Sequence, residues 1–192
     1  PYQPEISQGT LQAVFEYQTM ICELTGMEAS NASLYDGATA FAEAALLACR
    51  ATRRDIVAVS AGLHPHIREV LATYGRFCGF TVKTLPIDTE RGTTNIDTLP
   101  GDTAAVLLSS PNFYGVIEGI APLADRAHEA GALLAAGTDP VSLALLKPPG
   151  ECGADIVVGE GQAMGNTPSF GGPLLGFFAA REKHLRQMPG RI

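Results

Sequence analysis

Lysine is scarce in this chain. Only Lys83, Lys147 and Lys183 occur among 192 residues, and each sits where a solvated surface position is the simplest reading. An excess of positive charge is also lacking. Thirteen Lys and Arg stand against twenty Asp and Glu, for a net charge of −7. That balance offers no basic footprint for nucleic acid or an anionic membrane. No apolar run approaches the roughly 20 residues of a spanning helix, and no secretory signal pattern opens the chain. Cys22, Cys49, Cys78 and Cys152 are scattered without a CxxC pair, and no His/Cys cluster has metal spacing. A zinc site or a disulfide framework is therefore not expected, and reduced thiols fit a cytoplasmic setting. The chain begins at Pro1 without an initiator Met, which reads as a piece of a longer subunit.

What is present points to an α/β fold. A length of 192 residues with mean hydropathy just above zero suits one domain spanning residues 1–192 with a sizeable core. Strand-like runs alternate with helix-like ones, which predicts a three-layer α/β/α arrangement around a mostly parallel sheet. Helices are expected over Ser7–Leu24, Ala38–Arg50, His66–Cys78 and Ile120–Ala130, with one more helical turn over Pro140–Leu146. Pro1 and Pro4 favour an extended run ahead of the first helix. Strands are expected over Ala29–Leu34, Asp55–Ser60, Thr81–Leu85, Ala104–Ser109, Ala132–Ala136, Ile156–Val158 and Leu174–Ala179, with a polar connection over Arg91–Thr98.

Several strand ends carry candidate site residues. Tyr35-Asp36-Gly37-Ala38-Thr39 joins a strand to a helix N-terminus, where free N–H groups and the helix dipole favour an anion. On the local sequence alone, a plain cap by Asp36 is the better reading. His64-Pro65 opens the next helix, with Pro65 suited to its first position, and His66 faces solvent. Ser110-Pro111-Asn112-Phe113-Tyr114-Gly115 turns the chain at the carboxyl edge of a buried strand. Asp139-Pro140 reads as a turn. Finally, the strand Ile156–Val158 runs into Gly159-Glu160-Gly161-Gln162-Ala163 and then Phe170-Gly171-Gly172-Pro173. The glycines suggest positive φ or close backbone approach.

This last layout resembles fold type I pyridoxal-phosphate (PLP) enzymes, in which a lysine just past the strand forms a Schiff base. Ala163 stands about where that lysine belongs, and neither Gln162 nor Ala163 can supply the amine. Gly137 stands where such enzymes place an aspartate against the pyridine nitrogen. The resemblance implies vestigial cofactor-binding positions at Gly37, Ala38 and Thr39 for the phosphate and at His64 for the ring.

A more specific likeness rests on PYQPEISQGTLQAVFEYQT, NASLYDGATAFAEAAL, HPHIREV, SSPNFYGVIE and GADIVVGEGQAMGNTPSFGGPLLGFFA. The chain resembles the alpha subunit of the glycine cleavage P-proteins, the family of glycine dehydrogenase (decarboxylating), an oxidoreductase. That resemblance implies the PLP-dependent transferase large domain of a longer subunit with no catalytic residue of its own. It implies a heterodimer with a beta subunit that holds the lysine and the PLP. The pair decarboxylates glycine and hands the aminomethyl group to the lipoyl arm of H-protein. Tyr2, Gln3, Gly161 and Gln162 are then expected at the interface with that partner. Two alternatives stay open: an active PLP transferase or desulfurase, and an assembly module that binds no ligand.

Overall fold

A computed structural model describes residues 3–190. Its seven-stranded sheet has the order β1-β7-β6-β5-β4-β2-β3. Strands β2 (Ile56–Ser60), β3 (Thr81–Leu85), β4 (Thr103–Ser109), β5 (Leu133–Gly137) and β6 (Ile156–Glu160) run parallel. β7 (Gly176–Ala180) is antiparallel to β6 and to β1 (Ala29–Ser30). The expected mostly parallel sheet is present. Its central strands are apolar throughout because both of their faces are covered.

Alternation along the strands sorts their side chains between two layers. Val57, Val59, Ala105, Leu107, Ile156 and Val158 face helices α2 (Gly37–Thr52) and α3 (Pro65–Cys78). Ala58, Val106, Leu108, Leu134, Ala136 and Val157 face α1 (Pro4–Thr25) and α4 (Ile120–Glu129). Ala40, Ala44, Ala45 and Ala48 of α2 are fully buried. Their small side chains let the helix axis lie close to the sheet, as the alanine-rich sequence suggests. Edge strand β3 exposes Thr81, Lys83 and Thr84, and a lysine on an open edge discourages further strand pairing.

Two expectations need correction. Helix α1 begins at Pro4, not Ser7, with Gln3 as its N-cap and the Gln3 carbonyl accepting from Ile6 N and Ser7 N. Proline costs nothing at the first helical position, because that N–H would have no helical partner anyway. The strand expected over Ala29–Leu34 shrinks to Ala29–Ser30 and one isolated bridge between Leu34 and Gly176. The apolar residues of α1 are only partly buried. Ile21 is buried, but Leu11, Phe15 and Met20 are exposed. Among the described residues, no helix is long and apolar enough to cross a membrane.

The chain leaves β2 through α3 toward one edge of the sheet and leaves β4 through α4 toward the other. Strands that diverge in this way open a crevice at their carboxyl ends.

Candidate functional site

A cleft of about 970 Å³ lies over the carboxyl ends of β4, β5 and β6, against the start of α2 and α3. Strand register brings its floor together: Ser109 pairs with Gly137, and Gly137 with Val158. Gly37, Ala38, His64, Gln162 and Ala163 all line it, so three of the four expected cofactor positions and the two loop residues converge. Thr39 lies one turn into α2, where its hydroxyl and the Asp36 side chain form a reciprocal capping box. Gln3 is exposed at the head of α1. Tyr2 falls outside the described residues.

No lysine or arginine is among the described residues that line the cleft, whereas Asp36, Glu69, Asp139 and Glu160 are. Lys147 lies in the loop before the 3-10 turn Pro149–Cys152, exposed and 3.8 Å from Glu151. Lys183 binds the buried Asp155 at 2.9 Å. Asp139 caps the 3-10 turn Pro140–Ala144 by accepting from Val141 N at 2.9 Å, as its place before proline suggests.

The amide groups at the head of α2 are engaged. Asp36 Oδ1 accepts from Thr39 N at 2.8 Å, and Glu160 Oε2 accepts from Gly37 N at 3.0 Å. The other oxygen of Glu160 accepts from Gln162 N at 3.0 Å and Leu175 N at 2.8 Å. Gly37 is required here: a Cβ would lie 2.9 Å from Glu160 N, so α2 can press onto the end of β6 only without a side chain. His64 turns to its own helix, where Nδ1 accepts from His66 N at 3.2 Å. Its ring meets Phe113 edge-on at 4.9 Å. A ring nitrogen that accepts is unprotonated, so this bond assigns the hydrogen to Nε2.

Gly137 is a second position that tolerates no side chain. A Cβ there would collide with Cζ at the tip of the Phe41 ring, a buried side chain of α2. An aspartate could not stand at this strand end while Phe41 fills the space.

Beside the cleft, a buried polar relay ties the β2 and β4 exits together. Gly62 N donates to Ser60 Oγ at 3.0 Å, and Ser60 Oγ lies 2.7 Å from Thr94 Oγ1. Thr94 Oγ1 in turn donates to Glu118 Oε1 at 2.8 Å, as does Asn112 Nδ2 at 3.0 Å. Asn112 Oδ1 accepts from Tyr114 N and Val116 N, which holds the Pro-Asn turn and with it Phe113. Local sequence carries no sign of Glu118 as its hub, because its partners lie up to 24 residues away.

The Gly161 amide donates to Leu175 O at 2.6 Å, and Gly161 is buried against Leu175 and Met164. Gln162 Nε2 is buried without a hydrogen-bond partner. Among the described residues no cluster of His, Cys, Asp or Glu could hold a metal ion.

A cleft at the carboxyl edge of this sheet, between these helices, is the architecture of the fold type I PLP-dependent enzymes. Sphingosine-1-phosphate lyase from Burkholderia pseudomallei shares it with a TM-score of 0.75 at 18% identity, over 96% of this chain and 48% of that one. The residues present do not fit the cofactor itself. The amine is missing, the pyridine partner is excluded by Phe41, and two carboxylates take amide groups at the helix head.

The chain belongs to the glycine cleavage system P-protein family, whose sequence pattern matches residues 1–192. A probable glycine dehydrogenase (decarboxylating) subunit 1 from Desulforamulus reducens is 55% identical over 100% of this chain and 44% of its own length. One from Desulfitobacterium hafniense is 56% identical over 100% and 44%. The crystal structure of an inhibitor-bound glycine decarboxylase (P-protein) of the glycine cleavage system matches with a TM-score of 0.95 and 53% identity, again over 100% of this chain and 44% of that one. The chain thus spans less than half the length of these relatives.

Proposed function

We propose that this chain is the sheet-bearing large domain of a glycine decarboxylase alpha subunit that forms no Schiff base itself. In this reading a beta subunit carries the lysine and the PLP, and the cofactor supplies the electron sink for decarboxylation. The heterodimer then passes the aminomethyl group to the lipoyl arm of H-protein in the cytoplasm. The alpha chain contributes walls to the shared site and has no activity alone. Gln3, Gly161 and Gln162, with Tyr2, are assigned to the interface. The buried, unpartnered Gln162 Nε2 supports a role in meeting an acceptor from outside this chain.

The observation that carries the reading is the pairing of two facts. Relatives named subunit 1 match the chain end to end at 55–56% identity, and no lysine lines the cleft among its described residues. The test is co-purification with a lysine-bearing subunit followed by a glycine–CO2 exchange assay. Exchange is expected from the pair and not from this chain alone. Exchange by the lysine-bearing subunit at full rate without its partner would overturn the reading.

A further inference from the structure

The head of α2 is a place where a phosphate would ordinarily be held by backbone amides and the helix dipole. In this chain an anion already sits there, and it belongs to the chain. Glu160 ends β6, and its two oxygens collect N–H groups from three separate segments: Gly37 at the head of α2, Gln162 in the exit loop, and Leu175 just before β7. Asp36 takes Thr39 N as well. Ala38 N is left as the one amide of the first three in α2 without a partner among the described residues.

Charge works in the same direction. An incoming phosphate would meet four carboxylates around the cleft and no lysine or arginine among its described lining residues. Like charges at such separations repel by an amount that grows as water is excluded.

We propose that Glu160 is a built-in occupant of the anion seat, a carboxylate that closes the cleft to phosphate-bearing ligands. The cleft is therefore shut by an interaction rather than merely lacking a lysine. This inference is independent of the glycine decarboxylase reading, since it concerns only what the cleft of this chain admits.

Removal of the carboxylate should reopen the seat. The full chain without a partner subunit is titrated with inorganic phosphate at matched ionic strength, by calorimetry and by following the Gly37 amide resonance. The native chain should show neither saturable heat nor a shift at Gly37. Glu160→Ala frees three amides and one negative charge, and should bind phosphate at least about tenfold more tightly, with Gly37 moving on titration. Glu160→Gln keeps the side chain's shape and one acceptor, which protects the fold. Its amide cannot accept from all three donors, so it should bind phosphate more weakly than the alanine variant but measurably. If Glu160→Ala does not fold, the glutamine variant decides. Phosphate binding by the native chain with affinity equal to the variants, or folded variants that leave Gly37 unmoved, would overturn the proposal.

Discussion

Gly137→Ala adds one methyl group to a strand end and should destabilise the chain. In an ordinary strand, alanine would be the better residue by about 0.5–1 kcal/mol, because glycine loses more backbone freedom on folding. Here the new Cβ would collide with the tip of the Phe41 ring, and Phe41 is 2% exposed in a packed layer that includes Ala40, Ala44 and Val158. Forcing a methyl group into such a core costs about 1–3 kcal/mol. The clash should win, for a net loss of about 1 kcal/mol. Phe41→Leu removes the outer ring atoms and should cost about 1–2 kcal/mol alone through the space it leaves. In the double variant the methyl group enters that space, so the pair should be no less stable than Phe41→Leu alone. The coupling energy is then about 1–2 kcal/mol. The chain has no tryptophan, so urea unfolding is followed by far-ultraviolet circular dichroism. Additivity of the two losses within about 0.5 kcal/mol would refute the contact as the reason for glycine at this position.

Asp155 anchors β5, α4 and the C-terminal 3-10 turn through Leu134 N, His128 Nε2 and Lys183 Nζ. Burial alone would raise its pKa, but the bonds from Lys183, His128 and Leu134 outweigh burial and hold the carboxyl below its ordinary value. A depressed folded-state pKa stabilises above the unfolded value of about 4 and is lost as pH falls through the folded one. Asp155→Asn should cost about 2–3 kcal/mol at pH 7 and flatten the acid limb of a stability-against-pH curve below about pH 4; an unchanged limb would remove Asp155 from the account. Borohydride treatment of the chain as purified, with no PLP added, should leave no pyridoxyl group on Lys83, Lys147 or Lys183 in peptide mass maps, and a stable adduct on any of them would contradict the cleft chemistry described above. Gly161→Val needs only the flexible end of Met164 to move at its tightest contact. It should therefore weaken capture by the partner subunit in a pull-down more than it lowers the melting temperature, and equal losses would make the loop purely structural.

The layered fold was legible because its signals are local. Runs such as Ile56-Val57-Ala58-Val59 and Ala104-Ala105-Val106-Leu107-Leu108 declare buried strands within five residues, and Gly26 and Gly79 close their helices in left-handed conformations. Helix α1 shows where local reading fails. A proline near a helix start reads locally as a barrier, yet at the first helical position Pro4 is a permitted start. The cleft was half legible. The absent amine could be seen at Gln162 and Ala163, but its refilling could not. Glu160 reaches Gly37 across 123 residues of sequence, and Phe41 meets Gly137 only once α2 lies on the sheet. Such contacts follow from chain topology, and no spacing rule within one segment reports them.

The carboxylate at the head of α2 also has a thermodynamic meaning. A diffusible cofactor stabilises its protein by mass action, so the stability of the fold rises and falls with the ligand's concentration. An anion carried on the side chain that ends the strand it closes is present at a fixed, high effective concentration. It cannot be dialysed away, outgrown in rapid protein synthesis, or lost when cofactor runs short. The cap of α2 is thus complete in the chain alone and owes nothing to the supply of vitamin-derived phosphate esters.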